Sequence, residues 1–184
     1  MTPKIIFIHG NGGGTGHDNW YLWCVRELKK YNIDAIAPDF PDSMFARSKF
    51  WLPFLKELGA DEDTVLVGHS SGAVAALRYA EQNKIYGSVI LGASYTDLGD
   101  DVEKQSGYFD TAWDWNAIKN NQHWIVQYAS TDDPYIPILE ARYIRDKLQT
   151  EYQEFTDEGH FGEDKGKTEF PEIVEELVRK LQLK

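Results

Sequence analysis

The chain holds one cysteine in 184 residues, Cys24, so no disulfide can close within it. Cys24 lies on an amphipathic helical pattern, where a lone thiol serves as a small buried hydrophobe. Basic residues are scarce: 19 Lys and Arg stand against 30 Asp and Glu, for a net charge of -11. No Lys/Arg cluster offers the footprint that phosphate binding needs, so nucleic acid is excluded as an expected partner. No apolar run approaches a membrane span, and Met1-Thr2-Pro3-Lys4 leads straight into a run too short for a signal-peptide core. The expected location is therefore the cytoplasm, with no membrane partner. Repeats and linkers are also missing, and the length predicts one domain over residues 1–184. With 42% hydrophobic and 14% aromatic residues, such a chain has enough apolar surface for a globular core.

Strand-like and helix-like patterns alternate along that length. Apolar, β-branched runs cover Lys4 to His9, Ile33 to Ala37, Thr64 to Gly68, Gly87 to Gly92 and Trp124 to Tyr128, with a weaker one at Glu151 to Thr156. Helical patterns cover Asn19 to Lys30, Ala46 to Leu58, Ala73 to Glu81, about Ala117 to Asn121, Ile138 to Leu148 and Phe170 to Leu181. The last is the clearest, because Ile173, Val174, Leu177, Val178 and Leu181 form the stripe of a helix resting on a sheet. Near-continuous apolar strands imply burial on both faces. The fold class is therefore α/β: a doubly wound, mostly parallel six-stranded sheet with helices on both faces and ligands at the carboxyl ends of its strands.

At the end of the third run stands Gly68-His69-Ser70-Ser71-Gly72, which spells G-x-S-x-G. A nucleophile elbow has this pattern, a strained strand-to-helix turn that exposes a Ser hydroxyl, and it makes Ser70 the candidate nucleophile. A plain strand-turn-helix joint built from small residues reads the same way. The helix former that follows, Ala73 to Ala80, completes the order strand, elbow, helix.

A Ser nucleophile needs a base oriented by an acid, and in this kind of fold the chain order is Ser, acid, His. Of five histidines, only His160 comes after a candidate acid, just past the final strand. His9, His17, His69 and His123 fall at strand ends or in the glycine-rich loop, where they bond loop backbone or line the site. His69, beside the nucleophile, is placed with the substrate pocket. Asp132 and Asp133 compete for the acid; Pro137, opening the next helix, favours Asp133. The oxyanion of an acyl-transfer intermediate needs two backbone donors. One is the amide of Ser71, and the other belongs to the loop Gly10-Asn11-Gly12-Gly13-Gly14, with Asn11 first choice and Gly12 second.

The same loop raises a nucleotide-binding domain as a rival. Its spacing fails, since G-x-G-x-x-G counted from Gly10 meets Thr15 and counted from Gly12 meets His17, and no Gly-Lys-Ser/Thr follows.

Beyond single motifs, the chain resembles the α/β-hydrolase-type serine hydrolases typified by retinoblastoma-binding protein nine. The resemblance rests on Gly10 to Gly14, Trp51-Leu52-Pro53-Phe54, Gly68 to Ala73, Arg78-Tyr79-Ala80-Glu81, Tyr95 to Asp100, Ser106-Gly107-Tyr108-Phe109, Ser130 to Pro134 and Gly159-His160-Phe161. It implies a compact α/β-hydrolase core without a large cap domain, and it carries the triad onto Ser70, Asp133 and His160. It also implies a hydrolase of small esters or amides that uses no metal or cofactor. A hydrolase fold kept only as a protein-interaction module is the alternative. The namesake's binding to retinoblastoma protein is associated with Leu-x-Cys-x-Glu, and here Leu58-Gly59-Ala60-Asp61-Glu62 has Ala60 where Cys is expected. That binding is not carried over.

Substrate class rests on the segment from Ser94 to Trp115. Its aromatics Tyr95, Tyr108, Phe109, Trp113 and Trp115 either wall a pocket or pack into the core. The acids Asp97, Asp100, Asp101, Asp110, Asp132 and Glu158 on nearby loops bias the expected site toward neutral or cationic substrates such as amino-acid esters.

Overall fold

The computed structural model describes residues 3–182; the first two and last two residues of the expected domain range lie outside it. Six strands, β1 (Lys4–Ile8), β2 (Ala35–Ile36), β3 (Thr64–His69), β4 (Gly87–Leu91), β5 (Ile125–Ser130) and β6 (Glu151–Phe155), form one sheet in the order β2-β1-β3-β4-β5-β6. Every neighbouring pair is parallel. All six expected strands are present. β2 is shorter than its apolar run, as an edge strand with one neighbour can be.

Alternation along the strands decides the two cores. Ile6 and Ile8 of β1, Leu66 of β3 and Ile90 of β4 point to one face. There they meet α2 (Ser48–Glu57), α3 (Ser71–Gln82), α5 (Trp115–Asn120) and α6 (Ile138–Leu148). Ile5, Phe7, Val65, Val67, Val89 and Leu91 point to the other face, where α1 (Tyr21–Lys29) and α7 (Pro171–Gln182) lie. On α7, Ile173, Val174, Leu177 and Leu181 are buried and Val178 packs beside them, so the expected stripe is the contact face. The outer strand β6 exposes Glu151, Gln153 and Glu154, a charged edge that resists pairing with another chain.

One element has no counterpart in the sequence reading: α4 (Asp101–Ser106), six residues in the connection from β4 to β5. Asp100 caps it by accepting from the amides of Val102 and Glu103, at 2.8 and 3.0 Å. This connection carries only α4 and α5, so nothing the size of a cap domain covers the carboxyl ends of the strands. Among the described residues no helix is long and apolar enough to cross a membrane.

Candidate active site

Ser70 sits between β3 and α3 with φ 58° and ψ -126°, a conformation that L side chains rarely adopt. Strain of this kind persists only where the surroundings enforce it. Here the enforcement is close packing: at Gly72 a Cβ would overlap the Ile8 carbonyl oxygen of β1. Glycine lets the first turn of α3 come down onto the sheet, and the chain must bend sharply at Ser70 to enter it. α3 therefore begins at Ser71, two residues before the expected start.

The candidate base and acid come together from two separate loops. His160 Nδ1 lies 2.8 Å from Asp133 Oδ2, and the Asp133 side chain is 3% exposed. Asp133 Oδ1 accepts from the amides of Tyr135 and Ile136, at 2.8 and 3.0 Å. A carboxylate is an acceptor, so Nδ1 of His160 donates to it and Nε2 is turned away from the acid. Asp132, the competitor, faces elsewhere. Its Oδ1 accepts from Ser130 Oγ and the Gly159 amide, and its Oδ2 pairs with Lys165 Nζ at 2.7 Å. The Lys165 bond holds its carboxyl far below the ordinary carboxylate range. Asp132 thus shapes the loop that presents His160.

Gly92, at the end of β4, has φ 55°, and a Cβ there would stand 2.8 Å from His160 Cε1. The imidazole occupies space that only glycine leaves open. Its loop is tied at further points: the His160 amide donates to Asp164 Oδ2 at 2.9 Å, and Trp20 Nε1 donates to the Phe161 carbonyl at 2.7 Å. The edge of the Tyr135 ring meets the imidazole, with centroids 5.1 Å apart.

His69 completes the clamp. Its Nε2 lies 2.6 Å from the His160 carbonyl, which can only accept, so Nε2 donates and Nδ1 accepts from the Tyr21 hydroxyl at 2.6 Å. Burial is the main cause that lowers His69 from 6.5 to about 3, so the ring stays neutral and its tautomer is fixed. His9 is fixed in the same way: Nδ1 donates to the Gly10 carbonyl and Nε2 accepts from the Phe40 amide. It anchors the start of the glycine-rich loop.

A cleft of about 980 Å³ brings these groups together; Ser70, His160, His9, His69 and the loop Gly10 to Gly14 all line it. No hydrogen bond joins Ser70 Oγ to His160 among the described residues. Catalytic contacts of this kind are often long without substrate and shorten when it binds. The amide of Ser71 opens α3 and so lies outside the helix ladder, and the Asn11 amide has no acceptor among the described residues. Gly12 is a correction: its amide donates to the Met44 carbonyl at 3.1 Å and is already committed to folding the loop.

The expected aromatic wall is a second correction. Tyr95, Tyr108, Phe109 and Trp113 do not line the cleft. Tyr95 stacks on Tyr143 at 3.9 Å, Tyr108 is 1% exposed, and Phe109 packs against the core. Trp113 stacks on Trp115 and receives the buried Arg78 guanidinium at 3.6 Å. Of the residues placed in the pocket from sequence, only His69 reaches it. Its apolar lining is Met44, Leu98, Val102, Pro134, Tyr135 and Ile136, and its acids are Asp18, Asp100, Glu103 and Asp164, with no Lys or Arg among the lining residues. Gly92 carried a faint signal as the glycine closing a strand run. Glu103 carried none, because a six-residue helix in a charge-rich segment shows no periodicity.

Residues 5–117 match the model of the alpha/beta hydrolase family. The chain is 42% identical over 174 residues to serine hydrolase RBBP9 of Rattus norvegicus, covering 93% of this chain and 91% of that protein. It is 26% identical over 184 residues to YdeN of Bacillus subtilis, covering 97% and 96%. The crystal structure of the B. subtilis ydeN gene product has the same fold at a TM-score of 0.89 and 23% identity, covering 98% of this chain and 100% of that one. A monoacylglycerol lipase of Paleococcus ferrophilus shares it at 0.68 and 17% identity, covering 97% and 96%. Through the family match and the identity to a named serine hydrolase, this chain belongs to the α/β-hydrolase family, among the serine hydrolases related to RBBP9.

Proposed function

We propose that this enzyme hydrolyses an ester or amide of a small substrate through an acyl-enzyme on Ser70. Ser70 Oγ attacks the substrate carbonyl carbon and its proton passes to His160 Nε2. The Asp133 carboxylate holds the tautomer and stabilises the imidazolium. The carbonyl oxygen, now anionic, receives the amides of Asn11 and Ser71. Collapse breaks the bond to the leaving group, which departs as an alcohol or amine with the proton from His160. Water then attacks the acyl-Ser70 ester with His160 again as base, releasing the acid and restoring the Ser70 hydroxyl.

The observation that carries this reading is the strained Ser70 at the mouth of α3, in one cleft with a His160 imidazole whose Nδ1 is held by a buried Asp133. The two free amides support it further, since each donor of an oxyanion hole is worth about 10² to 10³ in rate. A fluorophosphonate probe is expected to label the wild-type protein and not Ser70→Ala. Labelling that survives the substitution would place the nucleophile elsewhere.

The lining acids, with no basic residue among them, favour neutral or cationic substrates over phosphorylated ones. Of the acids singled out from sequence, only Asp100 lines the cleft; Asp132 pairs with Lys165 and Glu158 with Lys167. The proposal places the enzyme in the cytoplasm, on the sequence grounds above. Retinoblastoma-type binding is no part of it. Ala60 itself is buried, its amide bonds the Leu55 carbonyl and its carbonyl receives the Tyr79 hydroxyl, while Gly59, Asp61 and Glu62 around it are exposed.

A further inference from the structure

Both proposed oxyanion donors belong to residues whose side chains reach the same carboxylate. Glu103 Oε1 accepts from Asn11 Nδ2 at 2.8 Å, and Ser71 Oγ lies 3.5 Å from the same atom. Asn11 is in the glycine loop after β1, Ser71 opens α3 after β3, and Glu103 is in α4 after β4. One side chain therefore links three connections that the sheet alone does not hold together.

Asn11 needs such a tether. Its neighbours Gly12 and Gly13 have φ of 72° and 87°, and glycine backbone has little preference of its own. The loop is pinned before Asn11 by His9 on the Gly10 carbonyl, and after it by Gly12 and Gly13 donating to the Met44 and Ser43 carbonyls. Between those pins, the bond to Glu103 is what fixes Asn11 itself. The Glu103 end is firm in turn. Its own amide is capped by Asp100, its carbonyl receives Ser106 Oγ at 2.6 Å, and the segment beyond is anchored where Arg78 Nε donates to the Tyr108 carbonyl at 2.7 Å.

We infer that Glu103 is a positioning residue of the oxyanion hole, setting the Asn11 amide relative to that of Ser71; this rests on the serine-hydrolase reading above. The chemistry asked of it is acceptance by one oxygen. Glutamine supplies that acceptor at the same reach without a charge, and alanine supplies neither. Burial raises the Glu103 carboxyl above its ordinary value while the bonds from Asn11 and Ser71 oppose the rise, which fits a group whose value here lies in its acceptor oxygen.

The test compares Glu103→Ala, Glu103→Gln and Ser70→Ala on a neutral aryl ester, with a trifluoromethyl ketone as a tetrahedral-anion probe. Glu103→Ala is expected to lose about 10- to 100-fold in kcat at unchanged KM, because a donor displaced by an ångström or less weakens only the transition state. Affinity for the ketone should fall by the same factor. Glu103→Gln should recover most of both. A merely structural role would lower the melting temperature of both variants without splitting kcat from KM. Wild-type turnover in Glu103→Ala, with Ser70→Ala inactive, overturns this inference alone, and so does equal impairment of the Ala and Gln variants. Wild-type turnover in Ser70→Ala overturns the hydrolase reading and this inference with it.

Discussion

At the scale of single residues, the adjacent aspartates separate two kinds of work that sequence alone leaves open. The Asp133 side chain is buried and spends both oxygens on His160 and two backbone amides, whereas Asp132 is exposed and pairs with Lys165. Asp133→Asn should cost about 10⁴ in kcat, because an amide no longer enforces the Nδ1-protonated tautomer. Asp132→Asn keeps an acceptor for the Gly159 amide and loses only an exposed ion pair, so turnover should stay within about fivefold of wild type. Steady-state kinetics of the two variants checks the assignment, and a reversed order would move the acid to Asp132. Pro137 pointed to the same choice from sequence by fixing where α6 starts. The Gly12 amide was not legible in this way. Whether a loop amide is free depends on carbonyls brought in from far along the chain, here Met44.

Among elements, the clamp between the end of β3, the start of α1 and the loop before α7 is built on the neutral ring of His69. Folding holds that ring unprotonated down to about 3, while an ordinary histidine takes up a proton near 6.5. Between those values the unfolded chain binds more protons than the folded one, so stability falls as pH falls. His9, also lowered chiefly by burial, acts in the same direction. At about pH 4.5 the His69 contribution amounts to roughly 2 to 3 kcal/mol of lost stability. Urea unfolding should therefore show His69→Gln less stable than wild type at pH 7, with a smaller further loss on going to pH 4.5. Parallel losses in both proteins would mean that His69 does not carry the acid sensitivity. Six of the seven described α-helices lie within two residues of their expected spans, α3 starting early because Gly72 packs against β1; α4 was invisible because its six residues are held by a cap and by Glu103, not by an apolar face.

For the whole molecule, a net charge of -11 and a cleft lined by acids without Lys or Arg create a field that draws cations inward. An aminoacyl ester should be hydrolysed with higher kcat/KM than its N-acylated analogue at low salt, and that advantage should shrink as salt screens the field. An equal ratio at both salts would remove charge from the account of specificity. The sheet and its two buried faces were readable because they rest on periodicity, and the three residues proposed as the triad were singled out by a strand-end motif and chain order. The cleft wall was not readable. Tyr95, Tyr108, Phe109 and Trp113 are taken up by packing and stacking, leaving Leu98, Val102 and Glu103 to line the cleft. The central claim is that the strained serine becomes acylated. Peptide mapping by mass spectrometry after brief reaction with a slowly deacylating aryl ester should find one acyl group, on Ser70, and none in Ser70→Ala; an acyl group on any other residue would contradict the account.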